Sequence, residues 1–266
     1  MEKSVADEIA EVSMCRPHVV LLGAGASRAA FPNGERNGRR LPLMLDFAEI
    51  VPIAKIFAKA GIQLKDRNFE DAYTELALAV DKASFRDAVE RAVFDYFASL
   101  ELPGSPTLYD HLVLSLRPKD VIATFNWDPF LIQAAMRNGQ VGGCPRLLFL
   151  HGNVLQGYCE TDNLHGRRGD RCSRCGQEFK SVRLLYPIGE KDYETDRAIS
   201  SAWSAVKAAF ANAFMVTIFG YSAPNSDRSA VDLLRVSWGG SEKRSLEQFE
   251  IIDVKNQEPL AESWKD

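Results

Sequence analysis

Five short apolar runs, each closing on small or polar residues, limit what this chain can fold into. They are HVVLLGAG (His18 to Gly25), DVIATFN (Asp120 to Asn126), RLLFLHG (Arg146 to Gly152), FMVTIFG (Phe214 to Gly220) and FEIIDV (Phe249 to Val254). An apolar run of this length bounded by a turn fits a strand buried on both faces. Stretches with helical periodicity separate the runs: 43–59, 69–82, 84–98, 107–116, 129–137, 196–213 and 227–237. A short helix is expected over 4–14 and an extended piece around 183–188. FPNGERNGRRLP (Phe31 to Pro42) is rich in turn residues and reads as a loop. The alternation predicts the α/β class, a parallel sheet with helices on both faces.

Residues 156–180 break the pattern. They are polar, rich in Gly, Cys and Arg, and poor in aliphatic residues, so they read as a small inserted module. Cys172 and Cys175 form a Cys-x-x-Cys pair, with Cys159 upstream and His165 between. Three thiolates and an imidazole complete a tetrahedral zinc site, and a metal would hold together a stretch this short of apolar residues. A redox pair or free thiols are the other readings, although the strand-to-helix setting of a redox motif is missing. Cys15 and Cys144 read as ordinary thiols. Five cysteines, an odd number, do not suit a secreted disulfide framework. Lys+Arg of 32 against Asp+Glu of 36 gives a net charge of -4, so direct nucleic-acid binding is not expected. No stretch reaches the roughly 18–20 apolar residues of a membrane span. MEKSVADEIAEVS is acidic and lacks a signal-peptide core. A cytoplasmic protein of one to two domains is expected, at roughly 150 residues per domain.

Four strands run into GAGAS, NWD, HGN and GYS. Ligands of open α/β sheets bind at the carboxyl ends of the strands, so these clusters are expected to converge on one site. Gly23, Ala24, Gly25 and Ser27 would let backbone and helix amides approach a phosphate; a bare tight turn is the alternative. Arg28 stands where a dehydrogenase fingerprint has its third glycine, which disfavours hydride transfer, and no P-loop ending follows. Asn126 and Asp128 can orient a ribose hydroxyl or a water, or simply cap the next helix. His151 can act as a general base or be a structural strand-end histidine. Gly220, Tyr221 and Ser222 suit a nucleotide. Asp227 is a further cofactor-binding candidate, with an N-cap at the start of a helix as the other reading, and Asp253 can meet an adenosine ribose or finish its strand. Arg28, with Arg36, Arg39 and Arg40, could close over a pyrophosphate or stay solvated.

The order GAGAS, TFNWD, LHGN, a cysteine-containing insert and FGYS resembles sirtuins and sirtuin-like domains, from about Val19 to Asp253. The resemblance implies a Rossmann-like NAD-binding domain made of 1–155 and 181–266, with 156–180 as a small zinc-binding module. It implies that Gly23, Ala24, Gly25 and Ser27 contact NAD. Asn126, Asp128 and His151 would line the nicotinamide-ribose region, and Gly220, Tyr221 and Ser222 would lie near the adenosine.

The chain departs from the deacylase pattern at several points. Phe125-Asn126-Trp127-Asp128 replaces Gln-Asn-Ile-Asp, the Gly-Ile-Pro-x-Phe-Arg loop is missing, and there is no second cysteine pair. YPIGEKDY (Tyr186 to Tyr193) matches the peptide-pairing stretch only loosely. The chain is similar instead to bacterial sirtuin-like domains of anti-phage defence systems, whose usual activity is NAD hydrolysis. The expected function is therefore an NAD glycohydrolase, with NAD as substrate and Asn126 and His151 as catalytic residues. An NAD-dependent protein deacylase and a non-catalytic NAD or ADP-ribose sensor are the alternatives. The same resemblance implies control by homo-oligomer formation or by a separate regulatory protein.

Overall fold

The computed structural model describes residues 4, 15–65, 67–141, 143–188, 191–224, 227–239, 244, 246–254 and 264. Apart from Ser4, the helix expected over 4–14 lies outside these residues. The five apolar runs form strands β1 (His18–Leu22), β2 (Val121–Thr124), β3 (Arg146–Phe149), β7 (Met215–Phe219) and β8 (Gln248–Ile252). They make one sheet in the order β3-β2-β1-β7-β8, and every neighbouring pair is parallel. Both faces are covered, as the unbroken apolar runs require. Val20 and Leu22 of β1 enter one core, while Val19 and Leu21 enter the other.

The helices follow the sequence periodicity with local breaks. α1 (Ala24–Ala30) follows β1 directly. The 43–59 stretch divides into α2 (Phe47–Ile50) and α3 (Ala54–Lys59) around Pro52, which has no amide to donate to a continuous helix. The 69–82 stretch ends as α4 (Phe69–Leu78) and a 3-10 turn (Val80–Lys82) before α5 (Ala83–Ala98). α6 (Leu108–Ser115) starts with a reciprocal cap between Thr107 and Asp110. These helices and α7 (Phe130–Asn138) pack on one face of the sheet. α8 (Arg197–Asn212) and α9 (Arg228–Trp238) pack on the other. Among the described residues no helix is long and apolar enough to cross a membrane.

The insert forms a second, antiparallel sheet in the order β5-β4-β6, from β4 (Gln156–Cys159), β5 (Leu164–Arg167) and β6 (Lys180–Ser181). Its own buried apolar cluster is only Cys159, Cys172 and Phe179, with Leu164 partly buried against it. The stretch expected to be extended around 183–188 carries no strand; the Leu185 amide instead bonds the His151 carbonyl at 2.9 Å.

After β1 the chain builds outward through β2 and β3, then returns to the other side of β1 for β7 and β8. The strand order therefore reverses between β1 and β7, and a crevice forms at such a point. The loops after these two strands touch backbone to backbone. Gly23 N donates to Phe219 O at 3.0 Å and Gly25 N to Gly220 O at 2.9 Å. Gly220 has a φ of 62°, and a Cβ there would lie 2.0 Å from Ala26 N. Gly220→Ala should therefore destabilise by about 1–3 kcal/mol from backbone strain alone, with the clash adding to it. Thermal unfolding of the variant should show a midpoint lower by at least about 3 °C; an unchanged midpoint would contradict this account of the glycine.

Candidate active site

A cavity of about 270 Å³ opens where the loops after the parallel strands meet. It is lined by Gly23, Ala24, Gly25 and Ser27 after β1, by Phe125 to Asp128 after β2, and by His151 after β3. Gly220, Tyr221, Ser222 and Asp227 line it after β7, and Asp253 after β8. Leu41 to Leu45, Glu70 and Lys191 are also among the lining residues. Apart from Arg28 and the neighbouring Arg36, Arg39 and Arg40, every residue expected to contact NAD from the sequence lines this one cavity.

Asn126 sits where β2 ends, and its hydrogen bonds define its orientation. Its Nδ2 lies 2.8 Å from Gly23 O and 2.9 Å from Ser27 Oγ. A backbone carbonyl only accepts, so the atom facing it is the amide nitrogen. Both amide hydrogens are then used, and the carbonyl oxygen remains for the cavity. Ser27 has a single hydroxyl hydrogen, which goes to Asp128 Oδ2 at 2.6 Å. The Tyr109 hydroxyl, 2.7 Å away, must then donate to Ser27. Burial and the neighbouring Asp128 charge keep that phenol neutral, with its pKa well above the usual range. Ser27 is thus saturated by protein groups. Ser27 lines the cavity, but its hydroxyl serves to position Asn126 and Asp128.

Two expectations are corrected. Arg28 does not face the cavity; its guanidinium pairs with Asp46 at 2.6 Å, because α1 carries it against the 40–47 loop. Arg36 and Arg39 are likewise paired, with Glu101 and Glu35, and Arg40 lies 3.4 Å from Asp46. The amides of Gly23, Gly25 and Ala26 are not open to a phosphate. The Gly23 and Gly25 amides are bonded to the β7 end, and Ala26 N to Gly23 O. What Gly23 and Gly25 permit is close approach of the two loops: a Cβ on either would lie 2.5 or 2.8 Å from Gly220 O.

Asp128 is buried, and burial pushes its carboxyl up to about 6 against the bond from Ser27 and that from the Phe130 amide. Its Oδ1 accepts from Phe130 N at 3.3 Å at the start of α7, so the expected capping role is present beside the cavity position. His151 is also buried, and burial pulls its imidazole down to about 4. Asp227 opposes that shift and Lys191 adds to it. The ring packs edge-on against Phe125, with centroids 4.8 Å apart. Nε2 of His151 and Nε1 of Trp127 are buried without a hydrogen-bond partner. Asp227 begins α9 without capping it; its Oδ2 accepts from Tyr221 at 3.0 Å, and Oδ1 pairs with Lys191.

Tyr109, Trp127 Nε1 and Lys191 escaped the sequence reading. Tyr109 lies 82 positions from its partner Ser27. Lys191 looks like any loop lysine in YPIGEKDY, yet its side chain is only 2% exposed.

In the insert, Cys159, Asp162, Cys172 and Cys175 place four ligand atoms within 4.8 Å of one another. Sulfur and carboxylate donors at this spacing fit a tetrahedral divalent metal such as zinc. His165 is corrected as a ligand. Cys159 pairs with Leu164 across β4 and β5, and Tyr158 pairs with His165. Successive residues of a strand point to opposite faces, so His165 shares the face of Tyr158, away from Cys159. Its Nδ1 lies 3.0 Å from Gln156 Nε2, and its ring packs on Tyr158. Asp162, in the turn between the strands, takes its place.

No family model and no curated protein matches the chain. Among solved structures, the chain is similar to a mutant Sir2 homologue in complex with ADP-ribose. Identity is 13% over 90% of this chain and 84% of that one, with a TM-score of 0.44. It is similar to a Sir2 enzyme at 14% identity over 99% of this chain and 96% of that one, TM-score 0.41. It is also similar to a Sir2 homologue in complex with NAD, at 14% identity over 99% and 94%, TM-score 0.36. Values this low carry no residue's role from those proteins to this one.

Two predictions follow from the geometry. Between about pH 4 and 6 the folded Asp128 keeps a proton that the unfolded chain has lost, so this group makes stability fall as pH rises, by about 3 kcal/mol in all. Between about pH 4 and 6.5 unfolded His151 binds a proton that the folded ring refuses, so this group makes stability rise by a similar amount. The two slopes largely cancel. Urea titrations should show Asp128→Asn gaining stability over wild type as pH rises from 4 to 6, and His151→Gln losing it; parallel pH curves would refute the assignment. Elemental analysis should find metal in wild type and in His165→Ala but depleted in Asp162→Ala and Cys172→Ala. Depletion in His165→Ala with retention in Asp162→Ala would restore the original ligand set.

Proposed function

We propose that the protein is an NAD glycohydrolase that cleaves the nicotinamide–ribose bond to give nicotinamide and ADP-ribose. The observation that carries this reading is the shared cavity: Asn126 and His151, 25 positions apart at the ends of different strands, both line it. In this reading 1–155 and 181–266 form the NAD-binding unit, and the 156–180 insert, held by zinc, is the smaller one. Its place as an NAD-depleting effector of bacterial anti-phage defence is supported by the order of the strand-end motifs.

The scissile bond is already activated, because nicotinamide leaves as a neutral base from a cation. The transition state resembles an oxocarbenium ion. The protein has to hold the sugar, restrict water and receive one proton. The Asn126 carbonyl oxygen, fixed by Gly23 and Ser27, accepts from the attacking water or a ribose hydroxyl. His151 is neutral at pH 7 and takes the proton that the water loses. Asp128 adds negative potential near the developing cation and holds Ser27. A buried donor without a partner, Trp127 Nε1, suits the carbonyl of the nicotinamide amide. At about 270 Å³ the cavity is close to the roughly 300 Å³ lower limit of small-molecule pockets, which suits the reacting base-and-sugar end of the dinucleotide.

Purified protein incubated with NAD alone should release nicotinamide and ADP-ribose. His151→Gln should lower turnover by about 10²–10⁴-fold, the usual contribution of a general base, and Asn126→Ala by about 10²–10³-fold, the usual loss of one preorganised hydrogen-bonding group, with the far-ultraviolet circular dichroism unchanged. Consumption only in the presence of an acyl-lysine peptide would favour a deacylase. Saturable NAD binding without nicotinamide release would favour a sensor module.

A further inference from the structure

The reaction above employs Asn126 and His151 but leaves two buried charges beside His151 without a purpose. Asp227 Oδ1 pairs with Lys191 and lies 3.9 Å from His151 Nε2, while its Oδ2 holds the Tyr221 hydroxyl. The side chains of Lys191, Asp227 and His151 are 2%, 8% and 7% exposed. Burying an ion pair costs several kcal/mol per ion, and well-packed apolar residues serve stability as well or better. Helix capping does not explain Asp227, since its side chain makes no cap bond to α9. Among the described residues, the aromatic rings against the imidazole are Phe125, at its edge, and Tyr193, parallel to it at 6.2 Å. Burial keeps both Tyr193 and Tyr221 neutral.

The two imidazole nitrogens are placed differently. Nε2 is fully buried on the Asp227 side, without a partner, and 3.9 Å is about 1 Å longer than a hydrogen bond. His151 also lines the cavity, so Nδ1 is the nitrogen left to meet it. We infer that Asp227 is a positioning residue: it holds Nε2–H of His151 toward its carboxylate, leaves Nδ1 as the proton-accepting atom, and is itself fixed by Lys191 and Tyr221. When Nδ1 takes a proton from water, the Asp227 carboxylate shortens its distance to Nε2–H and balances the new imidazolium charge. Lys191 pairs with Asp227 in a buried setting and limits how basic the ring becomes at rest. The catalytic part of this inference rests on the hydrolase reading; the placement of the proton does not.

Nitrogen-15 NMR of the imidazoles tests the placement without substrate, with His151 assigned among the chain's four histidines by its loss in His151→Gln. At pH 7 the wild-type ring should be the neutral Nε2–H tautomer, and an Nδ1–H ring overturns the inference. Lys191→Met should raise the proton affinity of His151 at least about tenfold, which is one pH unit of its titration. Lys191→Met/Asp227→Leu, which leaves neither buried charge alone, should abolish that rise. An unmoved titration in Lys191→Met, or equal titrations in the single and double variants, overturns the coupling. In turnover, Asp227→Asn should lower kcat at least about tenfold with KM little changed, and Asp227→Glu should recover part of it. Wild-type protein that releases no nicotinamide would sink the hydrolase reading, while the NMR result would still decide whether Asp227 governs His151.

Discussion

The crossing of two loops at the point where the strand order reverses is the contact on which the rest of this structure depends. Gly23 and Gly25 lie against Gly220 so closely that a side chain on any of them meets backbone. Backbone has no rotamer to move away, so the approach is all or nothing. Because β1 and β7 end at this crossing, the loops that follow them face each other across the crevice, and β2 and β3 bring Asn126 and His151 to the same rim. Separating the loops by the width of a methyl group would break the Gly23 N–Phe219 O and Gly25 N–Gly220 O bonds and loosen Asn126, which bonds Gly23 O.

From that crossing a chain of hydrogen bonds runs inward in one direction. Tyr109 donates to Ser27, Ser27 donates to Asp128, and Asn126 donates to both Ser27 and Gly23. Each donor is matched by an acceptor, and the one atom of the Asn126 amide left over faces the cavity. A saturated network of this kind fixes a side chain more firmly than packing alone, since any rotation leaves a buried polar atom unpaired. This is how a small amide becomes a rigid acceptor.

Much of this was legible in the sequence, for a physical reason. Strands buried on both faces cannot hide their composition, so HVVLL, VIAT and MVTIF declare themselves, and the residues after them mark the ligand edge. The glycines of GAGAS were also legible as a tight spot, but their cause was not, because the atom that demands them belongs to Gly220, almost two hundred positions later. Ser27 and Arg28 fall on the same short helix, where one turn decides between cavity and flank, and no pattern of that length records the direction. His165 missed the metal cluster for a similar reason. The hairpin register, one residue either way, determines which face it occupies, and the turn that delivers Asp162 carries no metal-binding signature. Lys191 left no trace, since a buried lysine is spelled like a solvated one.

Low polarity explains the electrostatics of the cavity with a single cause. Removing water penalises whichever form of a group is charged, which raises the Asp128 carboxyl and lowers the His151 imidazole. A site built on burial alone would hold a poor base and would offer nothing to the proton that base receives. The Asp227–Lys191 pair answers this difficulty. Its two charges nearly cancel at rest, so the cavity tolerates them, yet the carboxylate lies on the His151 side at 3.9 Å. A new positive charge on the imidazole then finds a carboxylate already held by Tyr221 and Lys191. The carboxylate has about 1 Å left to close when the charge appears, and in a dry cavity a partner held that near contributes more than the same pair would in water.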